Sequence, residues 1–376
     1  MVGREWTRLG LIGFGGPPAH IALLRRLVVD RHGWMDARAF EDANAACGML
    51  PGPASTQMAI YCAYRVAGPA GAVIGGLGFI VPAVAIILAL SAVVLGHAPP
   101  LWVRGAGAGA GAAVPAVAIA AARSLLGPSL VRARARSAVP AWTVYVAAGA
   151  AAAVFVGPYL VLVLLAAGAV EVMRRRPAGR ALPTIGAPAL PLLPAAVSAG
   201  GYGALAWTAL KVGALSFGGG FVIIPLMQGD AVHVNHWMTN TQFLNAVALG
   251  QITPGPVVAT IAAVGYAAHG LTGGIMAAAI AFAPSFAFVL LAGRRFDGLR
   301  DRPGPRAFLD GAGPAAIGAI AGAAVTLAGV LSEAWQAGLL AAALAVLVVL
   351  RRGVVLTLVA AAAVGATLAL LGAPVP

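Results

Sequence analysis

Two glycine pairs and two Pro-Gly-Pro triplets interrupt apolar stretches of this 376-residue chain. The first kind is Phe14-Gly15-Gly16-Pro17-Pro18 and Ser216-Phe217-Gly218-Gly219-Gly220. The second is Pro51-Gly52-Pro53, followed by Ala54-Ser55-Thr56-Gln57, and Pro254-Gly255-Pro256, with Gln251 and Thr253 before it and Thr260 after it. Glycine admits positive φ, and proline disfavours helix before itself while starting helix after itself. Each motif therefore ends one half-helix and opens another. The opening amides have no earlier helical carbonyl to bond, and with the helix dipole they favour an anion. Ser55, Thr56, Gln57, Ser216 and Gln251 place hydroxyls and amides beside those breaks. The same motifs also serve as packing kinks or as re-entrant hairpins that hold no ligand.

Cations stand near the first breaks. Arg8 and Lys211 each lie seven residues before the first glycine of their pair, about two helical turns away and on the same face. Lys211 is the one lysine in the chain. A cation in an apolar span costs about 2.5–3.5 kcal/mol on insertion scales, so an anion path is one reason to keep it and snorkelling to the interface is the other. His20 follows the first glycine motif by one turn, placed either to contact an anion, to carry a proton or to tie the structure together. No nucleophile triad, metal cluster or nucleotide loop occurs; the Gly105–Gly111 alternation lacks the Gly-Lys-Ser/Thr ending and reads as close helix packing. Neither a catalytic residue, a metal site nor a cofactor is expected.

The elements that position these residues follow from composition. Hydrophobic residues make up 61% and charged residues 9% of the chain, with 50 Gly and 26 Pro. Soluble domains run at about 45–50% apolar and about 25% charged, so the pattern points to an all-α polytopic membrane protein. The net charge of +13 is spread between apolar segments, which argues for membrane topology and against nucleic acid. No cleavable signal peptide is read at the N-terminus.

The two halves repeat. With an offset of 203, Phe14-Gly15-Gly16 falls on Phe217-Gly218-Gly219, Trp34-Met35 on Trp237-Met238, Phe40 on Phe243 and Pro51-Gly52-Pro53 on Pro254-Gly255-Pro256. With 202, Tyr64, Gly68 and Pro82 fall on Tyr266, Gly270 and Pro284. The division expected is a repeat over 1–173, a linker over 174–199 and a second repeat over 200–376. Arginines alternate between equivalent loops: 25–38 holds four and 228–241 none, 97–104 one and 294–306 five, 123–136 four and 332–336 none. The positive-inside rule then inverts one repeat against the other, as in secondary transporters. Counting 5–24 as one crossing gives five per half, about ten transmembrane helices in all, besides broken or re-entrant segments, with both termini outside.

The run FGGPPAHIALLRRLVVDRHGWMDARAFEDANAACGMLPGPASTQ closely resembles the chromate ion transporter (CHR) family. The second copy, SFGGGFVIIPLMQGDAVHVNHWMTNTQFLNAVALGQITPGPVVATIAAVGY, resembles that family's C-terminal domain. The resemblance implies a long-chain, two-domain member that exports chromate, a structural analogue of sulfate, from the bacterial cytoplasm across the inner membrane, and so confers chromate resistance. By matched motif it implies site roles for Phe14, Gly15, Gly16, Pro17, His20, Pro51, Gly52, Pro53, Ser55 and Gln57, and for Phe217, Gly218, Gly219, Gly220, Pro254, Gly255 and Pro256. The family pattern has Ser where Gly13 stands and Gln where Gly48 stands; the second half keeps Ser216 and Gln251. It also has a longer N-terminus. The reading is a secondary transporter working by alternating access through rocking between repeats, with Arg8 and Lys211 offsetting the anion's charge. The alternatives are a transporter of sulfate or another oxyanion, or an anion channel. Expected partners are the oxyanion and the lipid bilayer, with a homodimer as the oligomer allowed.

Overall fold

A computed structural model describes residues 1–48, 50, 52–96, 99–175, 200–216, 221–292 and 303–376. Fourteen helices and no strand occur among them. The first half contains α1 (Val2–Ile12), α2 (Gly16–Arg25), α3 (Ala37–Cys47), α4 (Ala54–Val94), α5 (Leu101–Arg134), α6 (Val139–Phe155) and α7 (Leu160–Arg174). The second contains α8 (Tyr202–Leu215), α9 (Ile223–Gln228), α10 (Asn240–Ile252), α11 (Ile261–Ala292), α12 (Pro303–Ala328), α13 (Ala334–Leu344) and α14 (Val354–Leu370). Four of these regions are long and apolar enough to cross a membrane: Ala54–Val94, Leu101–Arg134, Val257–Leu291 and Gly304–Ala328. Shorter apolar helices span Val139–Phe155, Ala334–Val349 and Val354–Leu370. The chain is an all-α membrane protein.

Local irregularities recur at the spacing of the sequence repeat. A π-helical turn at Arg26–Arg31 returns at Gly229–Val234. Within α4 the backbone breaks at Ala67 (φ −142°, ψ 28°) and Gly68 (φ 63°, ψ −157°); within α11 it breaks at His269 (φ −145°, ψ 31°) and Gly270 (φ 64°, ψ −153°). Those glycine angles lie in a region that essentially only glycine populates. Each break reverses the chain. Beyond it, Gly71 closes on the Ala63 carbonyl and Gly76 on Ile60, while Gly273 closes on Gly265 and Gly274 on Ala262. The second leg of α4 and the second leg of α11 then run antiparallel to each other, with Gly76 against Phe286 and Leu88 against Gly274.

The segment 5–24 reads from sequence as one crossing, but in the structure it doubles back. Glu5 on α1 meets Arg31 past α2 at 3.5 Å, and the Trp6 and Trp34 rings stack with centroids 6.2 Å apart. The reversal is made at Gly13–Gly16, where Gly15 and Gly16 take φ of 102° and 72°. The N-terminal end therefore lies beside loop 25–38 rather than across from it. Apolar length could not reveal this, because a re-entrant hairpin and a short span have the same composition. In the second half, α8 and the turn after α9 make the same hairpin: Lys211 meets Asp230, and Trp237 donates to the Gly200 carbonyl at 3.0 Å.

The halves also exchange helices. α5 packs most extensively on α14 and also against α13, and α12 packs on α6 and α7. Small residues permit the approach. Gly105 and Gly109 of α5 sit against Gly365 and Ala361 of α14, whereas Gly107 and Gly111 on the other face meet Asn245 and Leu244 of α10. Gly318 and Gly322 of α12 sit against Val146 and Ala150 of α6. The Gly105–Gly111 run is thus two helix seams.

Candidate functional site

Helix breaks from both halves converge at mid-molecule. Gly52 (φ 116°) and Gly255 (φ 103°) form the tips of the α3/α4 and α10/α11 turns, and both are buried. Each tip docks on the other half. A Cβ at Gly52 would lie 3.2 Å from the Gly213 carbonyl of α8, 2.8 Å from Gln57 Nε2 and 3.7 Å from Ser285 Oγ of α11. A Cβ at Gly255 would lie 2.7 Å from the Ala83 Cβ of α4 and 3.6 Å from the Gly10 carbonyl of α1. The Gly255 amide also donates to the Gly13 carbonyl at 2.9 Å, joining the second Pro-Gly-Pro to the first glycine turn.

Helix starts open from these tips. At α4, Pro53 is the N-cap, and its carbonyl accepts from the Thr56 and Gln57 amides at 3.0 Å each. The amides of Ala54 and Ser55 precede any helical acceptor. Across the centre, Pro256 caps the turn Val257–Thr260, which runs into α11. Several buried polar atoms have no hydrogen-bond partner among the described residues: Thr56 Oγ1, Ser216 Oγ, Gln251 Nε2 and Ser285 Oγ. Leaving a buried donor unmade costs about 1–3 kcal/mol each, which a bound acceptor would offset. Residues 52–62 and 250–265 contain no Asp or Glu, so hydroxyls and amides that can donate stand here without opposing carboxylates.

His20 is a strut across this centre. It is 1% exposed, its Nε2 lies 2.9 Å from the Gly13 carbonyl and its Nδ1 3.3 Å from Ser55 Oγ. A neutral ring with the proton on Nε2 donates to the carbonyl and accepts from the serine, so both nitrogens are committed. Phe14 and Gly15 are exposed, while Gly16 and Pro17 are half-buried. Pro51, Phe217, Gly218, Gly219 and Gly220 lie outside the described residues.

The two cations are engaged within their own hairpins. Lys211 Nζ is 2.5 Å from Asp230 Oδ2, which also accepts from Thr208 Oγ1 at 2.8 Å. Arg8 lines a cavity of about 170 Å³ in the α1/α2 hairpin with Glu5, Arg26 and Arg31. Each cation thus belongs to its own hairpin, and Lys211 has its charge matched locally. Sequence reasoning missed Asp230 as the partner of Lys211 and Ser285 as a donor beside Gly52. Ser285 had one available signal: it follows Pro284, the repeat mate of Pro82, and stands where the first half has Ala83.

Comparison with known proteins gives one consistent result. A family model described as Chromate transporter matches residues 2–172 and 203–366. The chromate transport protein of Cupriavidus metallidurans is 32% identical over 331 residues, covering 86% of this chain and 81% of that protein. The probable chromate transport protein of Synechococcus elongatus is 30% identical, covering 86% and 82%, and the chromate transport protein of Pseudomonas aeruginosa is 30% identical, covering 88% and 81%. No solved structure matches.

Proposed function

We infer the function from one premise: the chain belongs to the chromate transporter family. The reading is a secondary transporter that moves chromate, a tetrahedral dianion, outward across the bacterial inner membrane. The observation that carries it is the meeting of helix breaks from both halves around buried donors with no carboxylate among them. Chromate presents only acceptor oxygens, so a site of amides and hydroxyls matches it. Gly52, Ser55, Thr56, Gln57, Ser216, Gln251, Gly255 and Ser285 form the proposed cradle. Phe14, Gly15, Gly16 and Pro17 form its rim, and His20 holds the first glycine turn to α4. Arg8 acts on the anion through the local potential rather than by contact, and Lys211, matched by Asp230, braces its hairpin.

Two repeats in opposite orientation fit this arrangement. The antiparallel second legs of α4 and α11 support the inversion. So does the grouping of loop ends: Arg123 bonds the Val348 carbonyl near Arg351, and Arg136 and Arg175 pair with Asp310 near Arg306, all in segments the charge rule puts inside. On the arginine-poor side, Arg104 and Trp335 bond the carbonyls of Val375 and Pro374. Because α5 and α12 are exchanged, half-against-half rocking would tear both glycine seams. The alternating-access motion proposed instead keeps two mixed panels intact, α5 with α13 and α14, and α12 with α6 and α7, and slides the hairpins past them, with α10 moving along Gly107 and Gly111 of α5.

An inside-negative potential favours anion exit by about 2.3 kcal/mol per charge per 100 mV, so a dianion has a strong outward drive without a coupling ion. The test is accumulation of labelled chromate in cells with and without the intact protein, with sulfate as competitor. Lower accumulation with the protein supports export; equal accumulation overturns it. Competition by excess sulfate would widen the substrate to the tetrahedral dianion class.

A further inference from the structure

We propose that the cavity among α5, α6, α7 and α12 binds the phosphodiester of an anionic lipid head group. This cavity, about 170 Å³, is separate from the central breaks and lies among arginine-rich segment ends of both halves. Arg132, Arg136, Arg174 and Arg175 line it together with two carboxylates, Glu171 and Asp310. Among the described residues that line it, four guanidinium charges face two carboxylates, a surplus of two positive charges.

The pairing inside the cavity shows where that surplus lies. Glu171 is buried and fully used: it accepts from Tyr145 OH at 2.9 Å, from Arg174 Nε at 2.9 Å and from Arg175 Nε at 2.6 Å. A single oxygen of Asp310 accepts from both Arg136 and Arg175, with Arg175 at 2.8 Å. Arg132 lines the cavity and has no hydrogen-bond or ion-pair partner among the described residues. Burial first, and then the crowding of Arg306, Arg175 and Arg132, holds the Arg136 guanidinium below its usual range. Glu171 and Asp310 offset part of this crowding, and a further anion beside Arg132 would offset more of it.

The wall below the arginines decides the class of anion. Leu125, Trp142, Ile317 and Ile320 extend the cavity as an apolar face, and Trp142 Nε1 donates to Ser129 Oγ at 3.0 Å. A free oxyanion gains nothing from that face. A phospholipid places phosphate oxygens on the guanidinium groups and acyl chain on the apolar wall, and basic pockets between membrane helices are suited to such head groups. The site would bridge α7 of one half and α12 of the other.

The test uses the full-length protein purified in uncharged detergent. Phosphatidylglycerol, phosphatidylcholine and inorganic phosphate are added separately, with thermal midpoint and bound lipid by native mass spectrometry as readouts. Phosphatidylglycerol is expected to raise the midpoint and to remain bound, with the other two inert. Arg132→Gln should weaken that binding by about tenfold, the size expected for one charged hydrogen bond. Arg38→Gln, an exposed arginine outside the cavity, should not weaken it. Equal lipid retention by wild type and Arg132→Gln, or an equal loss in Arg38→Gln, overturns the site. The full shift from inorganic phosphate alone overturns the lipid and assigns the cavity to a free oxyanion.

Discussion

The two halves carry nearly the same backbone and different chemistry on it. In the first, an ion pair joins α1 to the π-helical turn with the acid on the helix, Glu5, and the base on the turn, Arg31. In the second, the polarity is reversed: the base, Lys211, is on α8 and the acid, Asp230, on the turn. The Arg31 side chain is 54% exposed, whereas Lys211 and Asp230 are 12% and 6% exposed. The tips differ in the same way. Gly52 faces Gln57 and Ser285, but Gly255 faces Ala83. The backbone features that make the hairpins recur in both halves, while the polar contacts differ between them. Side-chain polar groups thus meet the Gly52 tip and an apolar methyl meets the Gly255 tip.

The largest effect that could break this comparison is at the buried pair. Lys211→Ala leaves Asp230 as an uncompensated charge and should cost about 3–5 kcal/mol of stability, with Lys211→Ala/Asp230→Ala recovering most of it. Thermal midpoints of the purified variants read this directly, and a single variant as stable as wild type would show the pair is not a strut. Next come Gly68→Ala and Gly270→Ala. No atom lies within 4 Å of the added methyl at either position, so backbone strain alone acts, about 1–3 kcal/mol each. Equal losses in denaturation would confirm that the hinges remain equivalent; unequal losses would mean that the halves differ in backbone as well.

Ser285→Ala tests the donor side. It removes one hydroxyl next to Gly52 without opening a large cavity, and should raise the chromate KM about tenfold while leaving stability unchanged or slightly higher. Its mirror, Ala83→Ser, should leave transport near wild type. A reversed result would move the anion to the Gly255 tip. The smallest effect is expected at the solvated pair, where Arg31→Ala should change stability by about 0–1 kcal/mol, a loss that shrinks further in high salt.

The legible parts of the fold were those where residue type dictates backbone. The glycines of the two Pro-Gly-Pro motifs and of the first Gly-Gly pair marked turn tips, and arginine alternation grouped loop ends that the structure brings together. The hinge at Gly68 was not legible, since one glycine in an Ala- and Gly-rich span has no local sign of an unusual φ. The re-entrance of 5–24 was hidden because apolar length does not record direction. At the site, Ser55, Thr56 and Gln57 were visible beside their proline, but Ser285 reaches the centre only through the packing of α11 on the first half. Lys211 was conspicuous as a lone lysine, yet its partner lies nineteen positions away across a hairpin. Charge alone could not distinguish a cation facing an anion from one facing a carboxylate.

The exchange of α5 and α12 bears on how the protein is made. During synthesis, α5 enters the membrane long before α13 and α14 exist, and its Gly105 and Gly109 face has no partner until the last forty or so residues have emerged. Emergence of α14 and maturation are therefore coupled, because α14 closes a seam opened near residue 101. A chain stopped at 175 would contain a whole repeat by sequence and still lack the surface that α5 packs against.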